Sequence, residues 1–133
     1  MRYLLDTNVI SVALRHSHSG VADKLRILNK SDLVIPAIVR SELEFGALKG
    51  GSAARLQNLR EFLGAFATLP FDDSCITVYA SARHELEQSG QRIGALDLLI
   101  ASIALANDLT LVTNNTAEFA RVPGLRIEDW QSN

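Results

Sequence analysis

Four acids in this 133-residue chain, Asp6, Glu42, Asp97 and Glu118, fall where a purely structural carboxylate is not the obvious choice. Asp6 directly follows the apolar run Tyr3-Leu4-Leu5, so it stands at the end of a short buried strand, although the same residue can cap the helix that follows. Glu42 falls inside a segment with helical spacing. A rotation of about 100° per residue sets Ile38, Val39, Phe45 and Gly46 around it, so Glu42 is expected at the centre of a buried face, with Arg40 and Glu44 facing solvent. Asp97 opens Leu98-Leu99-Ile100-Ala101-Ser102-Ile103-Ala104-Leu105-Ala106, which is apolar all round and reads as a buried helix; Asp97 is either its cap or an acid held in its buried first turn. Glu118 lies several residues beyond the last well-defined strand, where a solvated acid is equally compatible with the pattern.

The chemistry such acids support follows from their repulsion. Carboxylates about 4 Å apart at an effective dielectric near 20 repel by roughly 4 kcal/mol per pair. Three of them together rival the about 5–15 kcal/mol that stabilises a whole domain. A cluster of that kind takes up protons or holds a divalent cation, and oxygen-only donors select Mg²⁺ or Mn²⁺ over zinc. The chain offers no zinc alternative: Cys75 is its single cysteine, and the close histidine pair in His16-Ser17-His18 sits in a polar turn with Gly20.

The elements that must position these acids alternate between strand and helix. Strand 2–5 leads into helix 9–14, and helix 21–28 into strand 33–35, which Pro36 closes while starting helix 37–48. Helix 56–66 is followed by a brief strand at Thr68-Leu69. Asp73 or Ser74 caps a helix reaching Gln88, stopped by Gly90. The buried helix 97–106 precedes strand 110–112, the turn Thr113-Asn114-Asn115-Thr116 and a weak last strand near 125–127. This order predicts an α/β fold with a short-stranded parallel sheet covered by helices on both faces. In such sheets ligands sit beyond the carboxyl ends of the strands, the position of Asp6 and of Thr113 and Asn115.

Composition limits the function classes. A hydrophobic fraction of 47%, mostly aliphatic because aromatics make up 6%, fills one core of this size and excludes disordered and coiled-coil classes. No apolar run reaches the roughly 20 residues that span a bilayer, and the residues before Asp6 are too few for a signal peptide, so a cytoplasmic protein without membrane contact is expected. The net charge of −2 argues against a strongly basic nucleic-acid binder, yet ten of the thirteen cations are Arg, the cation suited to forked phosphate contacts. Arg83, Arg92 and Arg121 lie near the acids in sequence; each is either a phosphate contact or an ordinary surface charge.

Leu4-Leu5-Asp6-Thr7-Asn8, Ser41-Glu42-Leu43-Glu44-Phe45-Gly46, Ile93-Gly94-Ala95-Leu96-Asp97-Leu98-Leu99-Ile100-Ala101 and Val112-Thr113-Asn114-Asn115-Thr116-Ala117-Glu118-Phe119 together resemble the motifs of PIN-domain proteins. The likeness is to the VapC-type toxins of bacterial toxin–antitoxin pairs, and it runs nearly end to end, through Val122-Pro123-Gly124-Leu125-Arg126-Ile127-Glu128-Asp129-Trp130. It implies a single PIN domain over 1–133 with a three-layer α/β/α sandwich. The implied activity is that of a Mg²⁺- or Mn²⁺-dependent endoribonuclease, cutting structured RNA such as tRNA with metal-activated water to leave 5′-phosphate and 3′-hydroxyl ends. The resemblance places Asp6, Glu42 and Asp97 as catalytic acids and metal ligands. Glu118 is the candidate fourth catalytic acid where some relatives carry an Asp at the position of Asn115, and Thr113 and Asn115 are auxiliary residues that position water or phosphate. It further implies a cognate antitoxin, operator DNA reached only through that antitoxin, and a homodimer.

Other readings compete with this one. A catalytically idle PIN domain, working as a binding module in an antitoxin–operator DNA complex, is opposed by the intact Asp6, Glu42 and Asp97. A phosphoacceptor receiver domain needs a paired early acid and a late Lys, and a phosphatase with an Asp-x-Asp nucleophile needs an acid at position 8. Asn8 and the Lys-free stretch 52–133 disagree with both.

Overall fold

The computed structural model describes residues 1–131, so the last two positions of the expected 1–133 domain lie outside the described residues. Five strands, β1 (Tyr3–Leu5), β2 (Leu33–Pro36), β3 (Ala67–Leu69), β4 (Thr110–Val112) and β5 (Ile127–Glu128), form one sheet in the order β3-β2-β1-β4-β5. Every strand pairing is parallel. The helices are α1 (Thr7–Arg15), α2 (Gly20–Ile27), α3 (Ala37–Lys49), α4 (Ala53–Leu63), α5 (Asp73–Gln88), α6 (Ala95–Ala106) and the single turn α7 (Thr116–Phe119). None is long and apolar enough to cross a membrane.

The strand order creates the crevice. From β1 the chain steps one way through β2 to β3, then crosses back to β4 on the other side of β1 and on to β5. With right-handed crossovers, connections that step in opposite directions lie on opposite faces, which covers the sheet on both sides and opens a gap at the carboxyl ends of β1 and β4. Leu4, Leu5, Ile35, Leu111 and Val112 are buried on both faces, as a covered parallel sheet requires. Each such side chain contributes about 1.5–3 kcal/mol through burial. The all-apolar α6 is buried along Leu98, Ile100, Ala101, Ile103 and Ala104, in line with its sequence.

Several expected element bounds shift; the cap of α5, for one, is Asp72, whose side chain accepts from Ser74 N–H, and not Asp73 or Ser74. The fourth helix runs 53–63, not 56–66, because the Ser52 side chain caps it by accepting from Arg55 N–H and Gly64 ends it, freeing 67–69 to pair with β2. The turn expected after β4 continues into α7, whose Phe119 is fully buried and pins this one-turn helix to the core.

Candidate active site

β1 and β4 are in register through Leu5 and Val112, so the residues just beyond them, Asp6 and Thr113, lie side by side at the crevice. Asp6 N–H donates to the Val112 carbonyl at 3.0 Å, which fixes the backbone from which its carboxylate projects. Oδ1 of Asp6 accepts from Thr7 N–H at 2.8 Å, and Oδ2 accepts from the Thr113 hydroxyl at 2.8 Å. The capping and cluster readings of Asp6 therefore describe one side chain: it caps α1 and stays buried at the crevice.

Thr113 is fully buried, and its Oγ1 also accepts from Asn115 N–H at 3.0 Å. Its hydroxyl thus orients Asp6 and has no access to water or phosphate. The Asn115 side chain is likewise engaged, donating to Oε2 of Glu118 at 3.0 Å, while Gly94 N–H donates to Oε1 of Glu118 at 2.8 Å. Thr113 and Asn115 set the directions of two carboxylates.

Asp97 is not the cap of α6. Gly94 takes that place and Asp97 is the third helical residue, half-buried in the first turn. Three influences oppose ionisation of its carboxyl, burial first, then Glu118, then Asp6, and together push its pKa up to about 6. The helix N-terminus, which favours an anion, is outweighed. Glu118 moves the other way. The Asn115 amide, followed by Gly94 N–H, holds its carboxyl below the usual carboxylate range, against a smaller opposing effect of burial. Burial and its acidic neighbours thus make Asp97 the harder of these two carboxyls to ionise.

Glu42 is placed differently from expectation. It is exposed on α3, and Phe45, expected beside it on a buried face, is 61% exposed. The buried stripe of α3 is Val39 and Leu43. Arg40, expected in solvent, is half-buried and donates to the carbonyls of Leu63 and Phe66 at 2.9 and 2.6 Å, capping the chain beyond α4. Those carbonyls at the end of α4 draw α3 into a phase that turns Glu42 outward. Glu44 pairs with Arg60 at 2.8 Å. α3 packs against both α1 and α6, but Glu42 is not among the charges acting on Asp97.

The donor set suits a hard cation. Asp6, Asp97 and Glu118 present only oxygen, and burial, Glu118 and Asp6 all oppose ionisation of Asp97. Gly94 lies beside two of them: a Cβ there would be in ordinary contact, 3.5 Å from Oδ2 of Asp97 and 3.8 Å from Oε1 of Glu118. Among the described residues, no three His, Cys, Asp or Glu side chains form a ready-made cage. Mg²⁺ does not need one, because it keeps several waters and is held by one or two carboxylates together with substrate phosphate. Sequence reasoning missed Gly94 as a site residue; the signal was a glycine three positions before an acid that opens a buried helix.

Fold and site define an α/β protein with an acidic crevice at the switch point of a parallel sheet, and known proteins share that arrangement. A family model described as PIN domain matches residues 3–125. Ribonuclease VapC2 of Rickettsia felis is 40% identical over 132 residues, with 98% of each chain covered. The tRNA(fMet)-specific endonuclease VapC of Shigella flexneri is 34% identical over 131 residues, again with 98% of each chain covered. Among solved structures, VapBC2 from Rickettsia felis bound to a DNA fragment from their promoter matches with a TM-score of 0.88 at 38% identity, covering 98% of this chain and 99% of that one. DNA-bound VapBC from Salmonella typhimurium matches with a TM-score of 0.89 at 32% identity, covering 98% of each chain. The chain belongs to the PIN-domain family and, within it, to the VapC ribonucleases.

Proposed function

We propose that this protein is a Mg²⁺-dependent endoribonuclease, with Mn²⁺ as the alternative ion, acting as the toxin of a toxin–antitoxin pair. Asp6, Asp97 and Glu118 hold the ion at the crevice, and Glu42 supplies a fourth carboxylate from α3. The observation that carries this reading is the electrostatics of Asp97, a half-buried acid at the switch point on which burial, Glu118 and Asp6 all act against ionisation. A bound divalent cation relieves that opposition. When present it acidifies the attacking water and neutralises charge on the departing oxygen.

The chain's own groups do the rest. Thr113 fixes the rotamer of Asp6 through Oδ2, and Asn115 with Gly94 N–H fixes Glu118. Asp97 is a carboxylate above about pH 6 and accepts a proton below it. With water, and neither a side chain nor the 2′-hydroxyl, attacking phosphorus and the 3′-oxygen departing, hydrolysis leaves 5′-phosphate and 3′-hydroxyl ends. The relatives include a tRNA(fMet)-specific endonuclease, which makes tRNA the first substrate to test. The solved VapBC complexes on DNA support a protein antitoxin as partner, with operator DNA reached through it; the homodimer rests on the family resemblance alone.

The test incubates purified protein with tRNA and with total RNA, with Mg²⁺ or with EDTA, beside Asp97→Asn. Cleavage by the wild type in Mg²⁺ alone, absent in the folded variant, is expected. Equal cleavage by the two proteins would overturn the assignment.

A further inference from the structure

On the α5 side of Gly94 lies a cavity of about 190 Å³. Leu86, Ile93 and Leu98 give it an apolar lining, and Tyr79, Arg83, Arg92 and the carboxylate-bearing Glu87 line it as well. At this volume it is smaller than the roughly 300–1,000 Å³ of pockets that enclose a cofactor or drug-sized ligand. It is the right scale for one flat ring.

The charge around it is not balanced. Arg83 and Arg92 both reach a single carboxylate, Glu87, at 2.7 and 3.6 Å. Arg83 also donates to the Tyr79 hydroxyl at 3.1 Å, which steadies the aromatic ring at the cavity wall. Arg121 donates to the Arg92 carbonyl at 2.8 Å and so braces the loop that carries Arg92, whose side chain remains 76% exposed. One cation is thus held ready without a carboxylate of its own.

Position links the cavity to the acids. Ile93 and Ala95, both lining it, flank Gly94, whose N–H holds Glu118; Leu98, also lining it, follows Asp97. The wall 93–98 has the carboxylates on one side and the cavity on the other. Single-stranded RNA is recognised by splaying out bases, stacking them on aromatic or guanidinium planes and holding the backbone with cations.

We propose that this cavity receives one unstacked nucleotide of RNA next to the bond that is cut, its base against Leu86, Ile93 and Leu98 beside Tyr79 and its phosphate on Arg92 and Arg83. The inference rests on the ribonuclease reading above and adds to it a position that holds one base and its phosphate beside the cut.

The test uses the intact protein and the double variant Arg83→Ala, Arg92→Ala, with circular dichroism to verify its fold. Both side chains are more than half exposed, at 56% and 76%. Fluorescein-labelled octaribonucleotides of A, of C and of U are titrated by anisotropy in EDTA, where no metal-dependent cut occurs. We expect the wild type to bind all three octamers, since stacking on an apolar lining tolerates any base, and the variant to bind each about tenfold more weakly. Its log Kd against log salt slope should also fall by about 0.7 for each phosphate that the missing guanidinium groups no longer neutralise. On an RNA that the wild type cleaves in Mg²⁺, KM should rise with kcat within twofold. Unchanged affinity in the variant overturns the pocket while leaving the ribonuclease reading in place. A wild type that binds as expected but cleaves no RNA overturns that reading and not the pocket. Failure of the octamers to bind, with an acidic peptide bound through the two arginines instead, overturns the proposal in favour of a protein contact.

Discussion

The hydroxyl of Thr113, fully buried at the end of β4, donates a 2.8 Å hydrogen bond to Oδ2 of Asp6 at the end of β1, across 107 positions of sequence. Neighbouring strands of the sheet thus hand the crevice one carboxylate in a fixed orientation. Replacing Thr113 by Val keeps shape and removes that donor, while leaving Asn115 N–H without its acceptor. The expected result is a loss of about 1–3 kcal/mol in stability and about a 10–100-fold loss in Mg²⁺ affinity or cleavage rate. Thr113→Ser should recover most of both. Denaturant melts and calorimetric Mg²⁺ titrations of the three proteins check this.

Asp97 makes stability depend on pH in a direction opposite to that of an ordinary paired acid. Its folded pKa is raised to about 6 from 3.8, so its contribution is fully present below pH 3.8 and is lost as pH rises through 6. Between pH 7 and 5 the metal-free wild type should therefore gain stability relative to Asp97→Asn, which has no proton to take up there. Glu118, whose pKa is lowered, loses its contribution only below its ordinary 4.5 and does not interfere in that window. Thermal melts of both proteins in EDTA at pH 7 and pH 5 test it: Asp97→Asn should be the more stable at pH 7, with the gap closing at pH 5.

Mg²⁺ should raise the melting midpoint of the wild type, by the equivalent of about 2.7 kcal/mol at a hundred times its dissociation constant. Asp6→Asn keeps a capping oxygen but loses the charge, so it should gain much less from the metal. Four melting curves at fixed neutral pH, two proteins with and without Mg²⁺, decide whether Asp6 is a ligand as well as a cap. Identical responses would leave it as a cap only.

Glu42 and Glu44 are two residues apart on α3 and should separate cleanly. Glu42→Gln is expected to abolish cleavage with an unchanged melting temperature, because the residue is exposed and in the proposed site. Glu44→Gln breaks the surface pair with Arg60, which costs about 0–1 kcal/mol and leaves cleavage intact. Cleavage assays beside melts of both variants read the two effects.

Gly94 has a φ of −58°, which any residue adopts, so Gly94→Ala should fold with at most about 1 kcal/mol lost at the cap. Its methyl would stand 3.5 Å from Oδ2 of Asp97. Mg²⁺ affinity should fall several-fold while the helix content by circular dichroism stays constant.

Much of this was legible in the sequence, for a local reason. Short apolar runs ending in Asp6 and Thr113, helical periodicity between them and an all-apolar segment after Asp97 are patterns of neighbouring residues, and they fixed the alternating elements, the parallel sheet and the strand-end position of Asp6. The outward phase of Glu42 was not legible, because the apolar residues of α3 allow two phases and only the carbonyls of Leu63 and Phe66, reached by Arg40 across the fold, choose between them. Nor was α7, whose single turn has no periodicity to detect and exists because Phe119 finds the core. The division of charge between Asp97 and Glu118 is the most strictly tertiary result. In sequence the two are equivalent acids. In the fold, donors from Asn115 and from Gly94, 24 residues away, stabilise one carboxylate while burial and two neighbouring acids oppose the other, and such forces depend on distances through space that no local pattern encodes.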